Sequence, residues 1–222
     1  MSIRSKAFII LFLTVFFLTS GLVILSYLFV DRELSTWVYE KNFGRFLFLK
    51  GFSEIAKYIN GLAALSLIYF GIKRLWKKGK FKEQTFLAIA LSSILSATLT
   101  DTLKAFFGRY WPATWVNNNP SWIQDKAYGF HFFQIGWEYA SFPSGHTAII
   151  VSVGTLIWLA FPKWRFLSIL LIALEAIGLL GMNYHFFSDI LAGAFIGWLT
   201  ALFLHHYLLQ SFEMRAAQPL GQ

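Results

Sequence analysis

Cysteine is absent from this chain of 222 residues, which excludes disulfides, thiol nucleophiles and thiolate metal sites. Charge is scarce as well. Asp, Glu, Lys and Arg together make up 14% of the residues, against about a quarter in a soluble domain. Set beside 57% hydrophobic residues, that deficit points to a membrane protein. No internal repeat, low-complexity tract or Pro/Gly/Ser-rich linker divides the chain. A single membrane domain covering 1–222 is therefore expected, with its motif-bearing core at about 85–209.

What the chain does contain is a series of apolar runs near the length a bilayer requires, roughly 20 residues in a helix. The expected spans are 7–30, 55–72, 85–107, 147–161, 166–181 and 190–209. The first follows Arg4 and Lys6 but exceeds a signal-peptide core and has no small-residue cleavage site, so it reads as retained. Between the first two, 31–54 is mixed in polarity and rich in aromatics, as an interfacial segment is. The fold class is thus an all-α membrane protein of six transmembrane helices. Six spans leave both termini on one side. That side collects Arg4, Lys6, Lys73, Arg74, Lys77, Lys78, Lys80, Lys82, Lys163, Arg165 and Arg215. On the other side basic residues are interspersed with Asp31, Glu33, Glu40, Glu54, Asp125 and Glu138. Positive loops face the cytoplasm, so both termini are expected there, in a bacterial inner membrane. This topology accounts for the net charge of +8 without nucleic acid as a partner.

Three groups of polar residues fall on the other, outward side: Lys104 and Arg109; Ser144, Gly145 and His146; His185 and Asp189. Ionisable groups near membrane depth are costly and by default mark function. In Ser141-Phe-Pro-Ser-Gly-His146, Ser144 suits an N-cap and Gly145 a close backbone approach. Such a helix start binds phosphate through its free N–H groups, and His146 just inside it can protonate a leaving oxygen. An ordinary capped helix beside an interfacial histidine fits the hexapeptide too. Asp189, four residues after His185, can hold one ring nitrogen and leave the other as a nucleophile; alternatively, Ser188 and Asp189 simply cap the last span. Lys104 and Arg109 can hold phosphate oxygens, whereas Lys104 taken alone also suits snorkelling or a pair with Asp101. Two histidines and one carboxylate at these separations make a poor metal signature, and neither metal nor other cofactor is expected.

In order and spacing these residues resemble the type 2 phosphatidic acid phosphatase family of membrane lipid phosphatases, related to vanadium haloperoxidases. Its motifs are Lys-x6-Arg-Pro, Pro-Ser-Gly-His and Ser-Arg-x5-His-x3-Asp. Here they read Lys104-Ala-Phe-Phe-Gly-Arg109-Tyr-Trp111-Pro112, Pro143-Ser144-Gly145-His146 and His185-Phe-Phe-Ser-Asp189. The resemblance implies that His185 attacks phosphorus to form a phosphohistidine, that Asp189 holds its ring and that His146 protonates the leaving group. It also implies that Lys104, Arg109, Ser144 and Gly145 bind the phosphate, without metal. Two family arginines are replaced, by Trp111 and Leu179, with Lys126 or His131 as the nearest substitutes. Expected substrates are membrane lipid phosphates of the undecaprenyl diphosphate, phosphatidylglycerophosphate, phosphatidate or lipid A classes. The alternatives are lipid-to-lipid phosphotransfer and non-catalytic lipid binding. The aromatic stretch 113–140 reads as an interfacial lid or as a plain aromatic belt.

Overall fold

Where no water reaches the backbone, a segment satisfies its N–H and C=O groups internally by becoming a helix. The computed structural model describes residues 3–76, 81–115 and 117–210, and it is helical wherever the sequence is continuously apolar. The order is α1 (Ile3–Phe29), α2 (Asp31–Glu40), α3 (Leu47–Ser53), α4 (Ile55–Trp76), α5 (Phe81–Phe107), α6 (Trp122–Asp125), α7 (Gly145–Ala160), α8 (Arg165–Gly181) and α9 (Phe187–Leu204). The chain is an all-α membrane protein. Among the described residues, five helical stretches are long and apolar enough to cross a bilayer: Phe8–Phe29, Leu47–Lys73, Glu83–Phe107, Pro162–Gly181 and Phe187–Leu208.

The expected fourth span is the exception. Helix α7 has 16 residues, about 24 Å at 1.5 Å per residue, less than the roughly 30 Å of a hydrocarbon core. It is also the most enclosed, packing against α9, α5 and α8, so protein rather than lipid surrounds most of it. Ala148, Ile150 and Leu156 are wholly buried. Two glycines on α9 permit this approach. A Cβ on Gly193 would lie 2.3 Å from the Ser144 carbonyl oxygen, and one on Gly197 the same distance from that of Ala148. Backbones meet there, as small residues one turn apart allow in membranes. Gly193→Ala is expected to force α7 and α9 apart at the end that carries Ser144. A cost of about 1–3 kcal/mol for overpacking should appear as a lowered midpoint of thermal unfolding in detergent.

Segment 31–54 is more structured than an interfacial stretch requires. In α2 the buried residues Asp31, Ser35 and Val38 recur at helical spacing. Ser35 Oγ donates to Asn183 Oδ1 at 2.9 Å, and Asn183 Nδ2 donates to the Ser35 carbonyl at 3.0 Å. Those bonds fasten α2 to the α8–α9 turn. Helix α3 continues into the second span, broken only at Glu54. At that break the buried Glu175 of α8 accepts from the Ala56 N–H at 2.9 Å, capping α4 from a neighbouring helix. The basic connection after α4 includes Lys77, Lys78 and Lys80, which lie with Arg215 outside the described residues. Lys73 pairs with Glu83 across it at 2.6 Å.

Candidate active site

All three polar groups converge at one end of the bundle. Helix α5 carries Lys104 in its last turn. Gly108 then turns the chain with φ +52°, a conformation no side chain favours. A Cβ there would also collide with the His131 carbonyl oxygen, 2.1 Å away. Ser144 caps α7: its hydroxyl accepts from Thr147 N at 3.3 Å. Its own N–H donates to the Asp189 carbonyl at 3.1 Å, joining the starts of α7 and α9. A Cβ on Gly145 would stand 3.5 Å from Lys104 Nζ, so the ammonium lies over the first residue of α7. Lys104 also pairs with Asp101 at 3.1 Å.

Two histidine rings face one another across this end, with centroids 6.2 Å apart for His146 and His185. Behind His185 lies the carboxylate of Asp189, with Nδ1 to Oδ2 at 3.4 Å. The same oxygen accepts from Ser141 Oγ at 2.6 Å and from the Phe186 N–H at 2.9 Å. With Asp189 accepting, the ring proton sits on Nδ1 and the Nε2 lone pair is free. Burial holds the His185 imidazole below its ordinary range; the Asp189 carboxylate opposes this without restoring it, and Lys104 adds to the lowering. The ring is therefore neutral, as a nucleophile must be.

Arg109 is placed otherwise than the sequence reading has it. Its side chain is 0% exposed and makes ion pairs with Asp31 at 2.7 Å and with Asp189. It also donates to Ser188 Oγ at 2.7 Å and to the Tyr128 hydroxyl at 3.2 Å. Aromatic rings enclose the guanidinium: Phe186 at 4.4 Å, Phe130 at 5.0 Å, Tyr27 at 5.2 Å and Tyr128 at 5.3 Å. Cations bind such faces well when desolvated. This guanidinium is paired with two carboxylates behind the histidine, which is a supporting position for the ring.

Asp31, read from the sequence as a mere loop charge, is the partner that explains it. It is buried and accepts hydrogen bonds from the Ser188 N–H at 2.9 Å and from the Ser188 hydroxyl. Ser141 and Ser188 likewise enter the network from within the quoted motifs. One signal was available: Asp31 is the first charge after an uninterrupted apolar span, where an ionisable group is costly.

The positions of the missing arginines are filled, not vacant. Trp111 is buried, donates its indole N–H to the Trp137 carbonyl at 2.8 Å and lies 5.3 Å from the His185 ring. Leu179 is fully buried in α8. Neither proposed substitute reaches the histidines. The Lys126 ammonium rests 5.0 Å over Trp122, and His131 packs edge-on against Tyr110 at 4.6 Å. Among the described residues, no group of three or more His, Asp or Glu side chains has the arrangement of a metal site.

A histidine beside a buried carboxylate, a second histidine facing it and a lysine over a helix start thus share one end of the bundle. The model of the PAP2 superfamily matches residues 85–213, more than half of the chain, and the chain belongs to that superfamily. The chain is similar to the bacitracin transport permease protein BcrC of Bacillus licheniformis, 26% identical over 150 residues. The match covers 68% of this chain and 66% of that protein, so just under two thirds of the relative's length is spanned. A solved structure, that of a transmembrane PAP2-type phosphatidylglycerolphosphate phosphatase from Bacillus subtilis, shares the fold with a TM-score of 0.51. That likeness covers 95% of this chain and 98% of the other at 15% identity.

Proposed function

We propose that this protein hydrolyses a phosphomonoester or pyrophosphate of a membrane lipid through a phosphohistidine on His185. The observation that carries the reading is the facing pair His146 and His185, with Asp189 behind one ring and Lys104 at the start of α7. The His185 Nε2 lone pair attacks phosphorus and the bond to the leaving oxygen breaks. His146, whose pKa burial and then His185 and Lys104 push down to about 3, is protonated as the negative charge of the phosphate comes beside it and gives the leaving oxygen that proton. Water then attacks the phosphohistidine, His146 takes its proton, and inorganic phosphate leaves with His185 restored. Lys104 and the N–H groups at the start of α7 meet the charge that develops on the phosphoryl oxygens. Phosphate binding thus falls to Lys104, Ser144 and Gly145, while Asp189 orients the nucleophile.

The fold and the membrane setting point to a lipid as the substrate, of the undecaprenyl diphosphate, phosphatidylglycerophosphate, phosphatidate or lipid A class. The site lies opposite the α7–α8 turn with Lys163 and Arg165; because basic loops favour the cytoplasmic side, this supports an outward-facing site with both termini in the cytoplasm. A bacterial inner membrane and a single membrane domain complete the reading. Purified protein in detergent with EDTA is expected to release phosphate from at least one of these four classes. Absence of release from all four would overturn hydrolysis, and labelled phosphate on an acceptor lipid would replace it by phosphotransfer.

The pH dependence follows from the nucleophile. His185 must be unprotonated to attack, and burial has lowered its pKa. Lowering the pH therefore removes activity only beneath the ordinary histidine range of about 6.5. The acid limb of kcat/KM due to this group is expected below that value. Asp189→Asn exchanges a carboxylate for an amide that does not favour the Nδ1 proton, and should lower kcat across the whole profile.

A further inference from the structure

The loop between α5 and α7 has two arms of different character. In the first, residues 113–128, polar side chains bind the chain to α1 and α2. Trp122 Nε1 donates to Thr36 Oγ1 at 3.0 Å and the Tyr128 hydroxyl to the Tyr27 carbonyl at 2.6 Å. The second arm, residues 130–137, contains no Asp, Glu, Lys or Arg. It presents Phe132, Phe133, Ile135 and Trp137 at 54%, 71%, 85% and 49% exposure. Soluble surfaces avoid so dense an apolar patch, and where one occurs it marks a contact.

The depth of this arm is set by α5. The Phe133 N–H donates to the Phe106 carbonyl at 2.9 Å, and the His131 N–H donates to that of Gly108 at 2.6 Å. Phe106 itself is exposed on a membrane-crossing helix, and its ring meets those of Phe133 at 4.9 Å and Phe132 at 6.2 Å. The exposed apolar side chains thus continue the lipid-facing surface of α5. At its other end the arm reaches the site: Trp137 lies 5.5 Å from Trp111, which lies 5.3 Å from His185.

We propose that residues 130–137 form a finger inserted into the leaflet on the site's side, holding the catalytic mouth at headgroup level. The occupant of the patch is the lipid itself. Phe, Ile and Trp without charge suit the boundary of headgroups and acyl chains, and the adjoining aromatics suit the headgroup belt. The functional part of this inference rests on the phosphatase reading; the insertion does not.

Because the chain has no native cysteine, single-cysteine labelling tests the finger directly. Phe133→Cys, Ile135→Cys and the control Asn118→Cys would carry a polarity-sensitive fluorophore in phosphatidylcholine/phosphatidylglycerol vesicles. Expected are blue-shifted emission and quenching by spin-labelled lipid at 133 and 135, with iodide quenching at 118. Equal iodide quenching at all three positions would overturn insertion. Ile135→Glu is expected to raise the apparent KM for a long-chain lipid phosphate in vesicles by about tenfold. Turnover of a water-soluble short-chain phosphate by the same variant should be unchanged. Equal losses on both substrates would show that the finger supports the fold and not the membrane contact. A parent enzyme inactive on both would refute the phosphatase reading while leaving the labelling result to decide insertion.

Discussion

His185→Ala is expected to reduce phosphate release by a factor on the order of 10⁴ to 10⁶, as removal of a nucleophile does in covalent catalysis. Protein yield and thermal midpoint should change little, since the ring's bond to Asp189 is long at 3.4 Å and three other donors remain on that carboxylate. His146→Ala tests the partner role and should behave differently. Loss of a general acid costs typically 10²–10⁴ when the leaving group needs a proton. An aryl phosphate whose leaving phenolate is already stable needs none, so His146→Ala should retain much more activity on it than on a lipid phosphate. His185→Ala should be inactive on both. Rapid-quench capture of acid-labile phosphate on the protein provides the direct check: present in His146→Ala with the aryl ester, absent in His185→Ala. If both variants fail equally on both substrates, the roles assigned to the two rings are wrong.

The parts of this molecule that were legible in advance are those written in local pattern. Apolar runs fixed the helices to within a few residues, because spanning length and backbone satisfaction leave few alternatives. Ser144 as a cap and the i,i+4 relation of His185 to Asp189 follow from helix geometry alone, and both appear in the structure. What did not follow is long-range. Asp31 and Arg109 stand 78 positions apart, and nothing in either neighbourhood names the other. Arg109 was assigned to phosphate as a cation close to Lys104 at the end of a span, but closeness in sequence says nothing about which way a side chain turns. The brevity of α7 was visible in its length; its central place was not, because that depends on Gly193 and Gly197 of another helix. The two arms of the long loop look equally aromatic in sequence and separate only once their hydrogen bonds are known.

Arg109→Met is expected to prevent accumulation of folded protein, which separates the supporting role from phosphate binding. The substitution removes the cation between two carboxylates, Asp31 and Asp189, whose side chains are both wholly buried. Breaking a buried pair from one side costs about 3–5 kcal/mol, and here one cation serves two anions. Total stability of a domain is only about 5–15 kcal/mol, so the loss is comparable to the whole. Had the guanidinium faced substrate, Arg109→Met would fold normally and chiefly raise KM. A double-variant cycle sharpens the test. Asp31→Asn alone leaves Arg109 paired with Asp189, and should lower the thermal midpoint while keeping the protein folded. Added to Arg109→Met, Asp31→Asn removes one stranded carboxylate, so the double variant should accumulate more folded protein than Arg109→Met does. Additive losses would mean that the two residues act apart. In Asp31→Asn, Asp189 keeps its cation, but Ser188 loses the charged acceptor that fixes the first turn of α9. Its kcat should therefore fall further than its KM rises, and Asp31→Glu should restore part of it if charge rather than shape is what Asp31 supplies.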